Sequence, residues 1–185
     1  LNLGKRLQFN LAVSAGQEVA TTVADYLDYA LDLPTTRVAA LFLEAIREPE
    51  KFRAALEKPQ RRDIPVVAIK VGRSEASAGF ALSHSGAMVG SDDAFEALCD
   101  RYGVIRVSTL DDLVATSALL ALPHRAVAGG VASILDSGGE RSMLADLADN
   151  LHVPFAKINE DTTQVLADNL VYGLDPVNPC DAWGT

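Results

Sequence analysis

Three short runs, at residues 38–43, 66–69 and 131–135, are rich in valine, isoleucine, leucine and alanine with little polar interruption. Continuous apolar runs of this length are the pattern of parallel strands buried on both faces. Elsewhere the period becomes helical: Val23, Leu27 and Leu31 share one face, as do Phe95, Leu98, Cys99 and Tyr102, and later Met143, Leu144, Leu147, Ala148 and Leu151. Ser91, followed by Asp92 and Asp93, supplies a cap hydroxyl and acidic groups where a helix dipole favours them. Asp161 with Gln164 predicts a capping box on the last helix.

Alternating strand and helix predicts an α/β fold, a parallel sheet with helices on both faces, because parallel neighbours require crossover connections. The stretch LLALPHR at 119–125 follows a predicted helix and precedes a fresh strand, and we place a domain boundary there. Residues 1–118 then form one domain. Residues 119–185 form a second of similar type, too short to be a complete doubly wound domain, and the chain reads as a fragment.

Composition narrows the class. Of 185 residues, 49% are hydrophobic and 22% charged, which suits a globular chain and argues against disorder. The formal net charge of −9, with no dense Lys/Arg stripe, excludes a nucleic-acid partner, since phosphate-backbone binding needs clustered positive charge. No apolar run approaches the roughly 18 residues of a membrane span and no signal-peptide profile opens the chain, so a cytoplasmic protein with no membrane partner is expected. Cys99 and Cys180 lie in different segments and read as free thiols. His124 and His152 have no companions at metal-ligand spacing, and no metal site is expected.

In open α/β sheets ligands gather at the carboxyl ends of strands. Glu44 follows the first run; Lys70, Gly72 and Arg73 follow the second; Asp136, Ser137, Gly138 and Gly139 follow the third. The loop SHSGAMVG at 83–90 has the small residues that let a backbone approach a ligand. An imidazole at His84 could attack phosphorus while its other nitrogen bonds a carboxylate, with Glu44 the candidate. By pattern alone the plainer alternative, a surface histidine and an ordinary strand-end carboxylate, leads. Lys70 and Arg73 could hold an anion, and Ser137-Gly138-Gly139 could present backbone N–H groups to one, but solvated charges and a tight strand-to-helix turn are the commoner readings.

The ordered set of motifs then resembles the succinyl-CoA synthetase superfamily, in its nucleoside-diphosphate-forming acetyl-CoA synthetase branch. AVSAGQEV at 12–19 is similar to the entry pattern VSxGNExD, with Gln17 for Asn and Val19 departing from it. LFLEAIREPEKF at 41–52 resembles lYlEgirdgrkF, and PVVAIKVGRSEASAGFALSHSGAMVGSD at 65–92 resembles PVvvlKsGrsxxGaxAaxSHTGalaGsd, with Ser85 keeping the hydroxyl of the usual threonine. GVIRVSTLDDL at 103–113 follows in order, and ILDSGG at 134–139 and NPCD at 178–181 resemble xtnSGG and NPvD, although Glu140-Arg141 departs from the usual small residues.

The resemblance implies flavodoxin-like ligase domains. It implies His84 as the phosphorylated histidine, Glu44 as the carboxylate orienting it, and a substrate- or phosphate-binding role for Ser83, Ser85, Gly86, Lys70, Arg73, Ser137, Gly138 and Gly139. CoA, ATP or ADP and Mg2+ are implied for the full-length enzyme, with none fully bound by this chain, which alone is expected to be inactive. The implied partners are a CoA-binding Rossmann domain and an ATP-grasp domain, in the same chain or another subunit, and a homo-oligomer remains open. Two alternatives stand beside the ligase: the ligase-like regulatory region of a protein acetyltransferase, and a non-catalytic acyl-CoA binding module.

Overall fold

The computed structural model describes residues 8–74, 77, 90–124 and 127–185. The chain divides into two compact units, Leu1–Arg125 and Ala126–Thr185.

The first unit contains α1 (Val23–Asp32), β1 (Ala39–Leu43), α2 (Pro49–Arg62), β2 (Val66–Lys70), α3 (Asp92–Tyr102), β3 (Ile105–Arg106) and α4 (Leu110–Leu120). Its strands form a parallel sheet in the order β1-β2-β3, with Leu43 opposite Lys70 and Ala68 opposite Arg106. The expected parallel α/β architecture is therefore what forms. The expected boundary after residue 118 lies inside α4, which runs on to Leu120.

Strand parity sorts the core into two faces. Leu43, Val66 and Ala68 pack with Leu27 and Leu31 of α1, Phe52 and Leu56 of α2, and Phe95 and Cys99 of α3 in one cluster. On the opposite face Val67 and Ile69 are buried where α4 crosses β1 and β2. Ala40 and Phe42 are paired with Val67 and Ile69 and share that face, yet Phe42 is 54% exposed.

Local chemistry starts and stops the helices. Before α1 the Thr22 N–H donates to Asp25 Oδ2 (2.9 Å), and Lys51 from α2 meets the same carboxylate at 2.7 Å. The Lys51 and Thr22 hydrogen bonds hold the Asp25 carboxyl down at about 2. Helix α2 opens on Pro49, where a missing N–H costs nothing, and closes on Asp63 in the left-handed region. Ser91 caps α3 as its sequence predicts, its Oγ accepting from the Ala94 N–H, and α3 ends on Gly103 at φ 64°.

The second unit contains β4 (Ile134–Leu135), α5 (Gly138–Asn150), α6 (Glu160–Asn169) and β5 (Cys180–Asp181). The 131–135 segment is central: β4 pairs parallel with β5 on one side, and Val131 makes a parallel bridge to Phe155 on the other. Asn178 ties these segments together, its Nδ2 donating to the Val131 and Ala156 carbonyls (both 2.8 Å) and its Oδ1 accepting from the Ser133 N–H (3.1 Å). The expected capping box is corrected. Asn159, not Asp161, caps α6 by accepting from the Thr162 N–H, and Gln164 instead donates to Asp168, because the helix begins at Glu160, two residues before the start that an Asp161 cap would give.

Candidate functional site

The carboxyl ends of β1, β2 and β3 lie side by side, and polar chemistry collects there. Glu44 is the first residue past β1 and is half-buried. Lys70 is the last residue of β2, and its register partner is Leu43, so Glu44 stands one residue beyond the level of Lys70 on the neighbouring strand. The Val71 N–H donates to the Leu43 carbonyl at 2.9 Å, extending the pairing before the chain turns through Gly72 at φ 82°. Only glycine adopts that conformation without steric cost, which is why GR follows the strand.

Three cations meet one carboxylate at the start of α3. Asp92 accepts from Arg106 Nη2 at 2.5 Å, lies 3.2 Å from Arg73 Nε and 4.0 Å from Lys70 Nζ, and is the first residue of the helix. The Lys70 side chain is 3% exposed, and its ammonium also donates weakly to the Gly90 carbonyl at 3.4 Å. Burial lowers its pKa, Asp92 opposes that shift, and the Arg106 and Arg73 charges add to it. Burial tends to raise the Asp92 carboxyl, but Arg106 and the other cations hold it below its ordinary value. Arg106 also pairs with Glu96 and lies 5.4 Å over the Phe95 ring.

Of the sequence-expected residues in this unit, Glu44, Lys70 and Arg73 come to the same sheet end, whereas Ser83, His84, Ser85 and Gly86 lie outside the described residues. Sequence reading gave Asp92 only a helix-start role and did not single out Arg106. The signal was present, since IRVS places a cation at the end of a short apolar pair, but a two-residue strand is too short to show periodicity.

In the second unit Ser137 caps α5, its Oγ accepting from the Glu140 N–H at 3.4 Å, and Gly138 and Gly139 are the first helical residues. Asp181 Oδ2 lies 3.0 Å from where a Cβ on Gly138 would stand, so a carboxylate of the unit itself faces this helix start. That arrangement is a strand-to-helix turn with its own internal anion.

Beside β1 lies a cavity of about 680 Å³ whose lining includes Phe9, Leu11 and Val13 together with Ala40, Phe42 and Glu44. Glu18 also borders it. Its Oε2 is buried without a hydrogen-bond partner, and burial raises its pKa, opposed by a hydrogen bond from the Val23 backbone and by Arg47. Among the described residues no group of histidine, cysteine and carboxylate side chains has the arrangement of a metal site, and no helix is long and apolar enough to cross a membrane.

Comparison with known proteins fixes the lineage. The ADP-forming acetate–CoA ligase I of Archaeoglobus fulgidus is 34% identical over 95% of this chain and 25% of its own length, and a trans-feruloyl-CoA synthase of an unknown prokaryotic organism is 31% identical over the same shares. The chain thus spans about a quarter of these relatives. The dinucleotide-forming acetyl-coenzyme A synthetase 1 of Ca. Korarchaeum cryptofilum, solved with phosphate and ADP, shares the fold with a TM-score of 0.76 at 24% identity, over 93% of this chain and 37% of that one. Residues 2–120 match the family described as the succinyl-CoA ligase like flavodoxin domain. With that match covering more than half of its length, this chain belongs to the succinyl-CoA ligase-like flavodoxin domain family.

Proposed function

We propose that the chain is the core of a cytoplasmic, nucleoside-diphosphate-forming acid–thiol ligase that interconverts acyl-CoA, ADP and phosphate with a carboxylic acid, CoA and ATP. In this reading phosphate oxygen attacks the thioester carbonyl and the CoA thiolate leaves, giving an acyl phosphate. A ring nitrogen of His84 then attacks phosphorus and the carboxylate departs. Phosphohistidine finally passes the phosphoryl group to ADP. A neutral imidazole suits the work because it is nucleophilic near pH 7, and the phosphorylated ring remains a good leaving group.

The observation that carries the proposal is the grouping of Glu44, Lys70 and Arg73 at one sheet end in a chain of this family. Glu44 would orient the imidazole and hold its second nitrogen. Lys70 and Arg73 would meet the phosphate or acyl-phosphate charge, with Ser83, Ser85 and Gly86 offering hydrogen bonds around it. The Ser137-Gly138-Gly139 turn would offer N–H groups to an anion only if Asp181 moved aside. CoA, nucleotide and Mg2+ would be held mainly by a CoA-binding Rossmann domain and an ATP-grasp domain, in the same polypeptide or a partner subunit. Relatives are named for acetate and for trans-ferulate, so the proposal stands at the level of an acid–CoA ligase.

The test is phosphoryl transfer in the full-length protein. With labelled ATP and magnesium the wild type should acquire acid-labile, base-stable phosphate that His84→Ala abolishes and Glu44→Gln reduces. No label on the wild-type protein, or label persisting in His84→Ala, would overturn the assignment.

A further inference from the structure

Asp92 divides its two oxygens among three cations. Oδ1 takes Arg106 Nη2 at 2.5 Å and stands 4.0 Å from Lys70 Nζ, while Oδ2 lies 3.2 Å from Arg73 Nε. The cations differ in what holds them. Arg106 is gripped along its length: its backbone stands opposite Ala68 in the ladder, its guanidinium reaches both Asp92 and Glu96, and the Phe95 ring lies beneath it. Asp92 and Glu96 are four residues apart on α3 and so share one face, the spacing that lets a single guanidinium span both. Arg106 is thus committed to the protein and anchors the Asp92 carboxylate.

Lys70 and Arg73 are less committed. Arg73 follows the Gly72 turn and is more than half exposed. The Lys70 ammonium is buried, and among the described residues it meets the Gly90 carbonyl at 3.4 Å and Asp92 at 4.0 Å, both long for a group with three N–H donors to place. Such an ammonium keeps donors for a further acceptor.

Charge balance sets what that acceptor can be. The charges around Lys70 come from three elements: Asp92 on α3, Arg106 on β3 and Arg73 on the turn after β2, with Glu44 one residue beyond its level past β1. Helices α1 and α2 contribute Leu27, Leu31, Phe52 and Leu56 to the core on this face of the sheet. Lys70, Arg73 and Arg106 bring three positive charges against the two negative charges of Asp92 and Glu96, an excess that suits an anion. Without Asp92 the three cations would face one another, and Lys70 is the one able to release its proton, since a guanidinium keeps its own. A neutral Lys70 would no longer attract phosphate. Burial and the two arginine charges already pull its pKa down, and Asp92 opposes them.

We propose that Asp92, anchored by Arg106, is a positioning residue that keeps the Lys70 ammonium charged and aims Arg73 toward the same anion, so that both hold a phosphate group. The proposal rests on the phosphate role given above to Lys70 and Arg73.

Binding of inorganic phosphate to the full-length protein, followed by phosphorus NMR across alkaline pH, tests it. The phosphate dianion keeps its charge there, so the pH at which affinity falls reports Lys70, and Lys70→Met should remove that fall. Asp92→Asn should move the fall down by about one pH unit or more, the shift expected when an opposite charge at this distance is lost. Asp92→Glu, which keeps the charge, and Glu96→Gln, which breaks a salt bridge of the same cluster away from Lys70, should leave it in place. A merely structural carboxylate would weaken the fold in Asp92→Asn without moving the pH of the fall, and that result overturns the proposal. An unchanged fall in Lys70→Met overturns it too, as does a wild type that binds no phosphate; if that protein still takes label at His84, the ligase reading stands and this proposal alone fails. Should Asp92→Asn not fold, Asp92→Ser removes the same charge with a smaller side chain and carries the same expectation.

Discussion

Asp92 offers the sharpest test of how the sheet end is held together. Asp92→Asn keeps the shape and one acceptor but removes the charge that faces Arg106 at 2.5 Å, Arg73 at 3.2 Å and Lys70 at 4.0 Å. The contacts are unequal. Arg73 is 57% exposed, and a pair of that kind contributes at most about 1 kcal/mol. Lys70 is almost fully buried, and a charge pair at 4 Å is worth about 4 kcal/mol gross at an effective dielectric near 20, part of which the desolvation of both groups offsets. Together with the lost helix-start charge, about 2–3 kcal/mol of destabilisation is expected. Urea unfolding followed by circular dichroism measures it, while Trp183 fluorescence reports separately on the second unit. In a Lys70→Met background the same substitution should cost about 1 kcal/mol less, since no buried ammonium is left without its counter-charge while the Arg106 and Arg73 pairs are still lost. Equal costs in the two backgrounds would show that Lys70 and Asp92 are not coupled and would refute the reasoning. The acid limb follows in sign. Because the folded Asp92 carboxyl lies below its ordinary value, its contribution is full above the unfolded value and disappears as pH falls through the lowered one.

Other outcomes follow from single contacts. The lowered Lys70 pKa means that its burial penalty is relieved as pH rises between the folded and unfolded values, so wild type should gain stability relative to Lys70→Met on that alkaline limb in urea titrations. Gly130→Ala would set a Cβ 2.3 Å from the Ala156 nitrogen and 2.4 Å from the Phe155 carbon, both backbone, and should cost the second unit about 3 kcal/mol by Trp183-monitored unfolding. Ser117→Ala should be neutral or stabilising by up to about 1 kcal/mol in thermal unfolding, because its buried hydroxyl has no partner. Cys99, its thiol pushed up to about 11 by burial, should resist iodoacetamide at pH 8 in the native chain and react once unfolded, as read by mass spectrometry.

Much of the fold was legible because its signals are local. The apolar runs 38–43 and 66–69 became β1 and β2, and Val23, Leu27 and Leu31 became the inner face of α1. Helix α2 was not singled out from periodicity, since Pro49, Pro59 and seven charged side chains dilute its pattern, and only burial of Phe52, Ala55 and Leu56 reveals its inner face. The 131–135 run pairs on both sides, through Val131 with Phe155 and through Ile134 and Leu135 with Cys180 and Asp181, a two-sided pairing that its apolar pattern alone does not reveal.

The sequence by itself determined the alternation of strand and helix, the Ser91 cap, the family, and the strand-end positions of Glu44, Lys70 and Arg73. Propensity, capping and period act over a few residues, so one dimension contains them. Tertiary structure decided that Asp92 is the common counter-ion of Lys70, Arg73 and Arg106, that Asp181 faces the Gly138 turn, and that among the described residues β1 pairs on one side, with β2. Those facts depend on which strands become neighbours. An apolar run reads the same whether it lies inside a sheet or at its margin, and only the ladder shows which hydrogen-bonding side of β1 is taken.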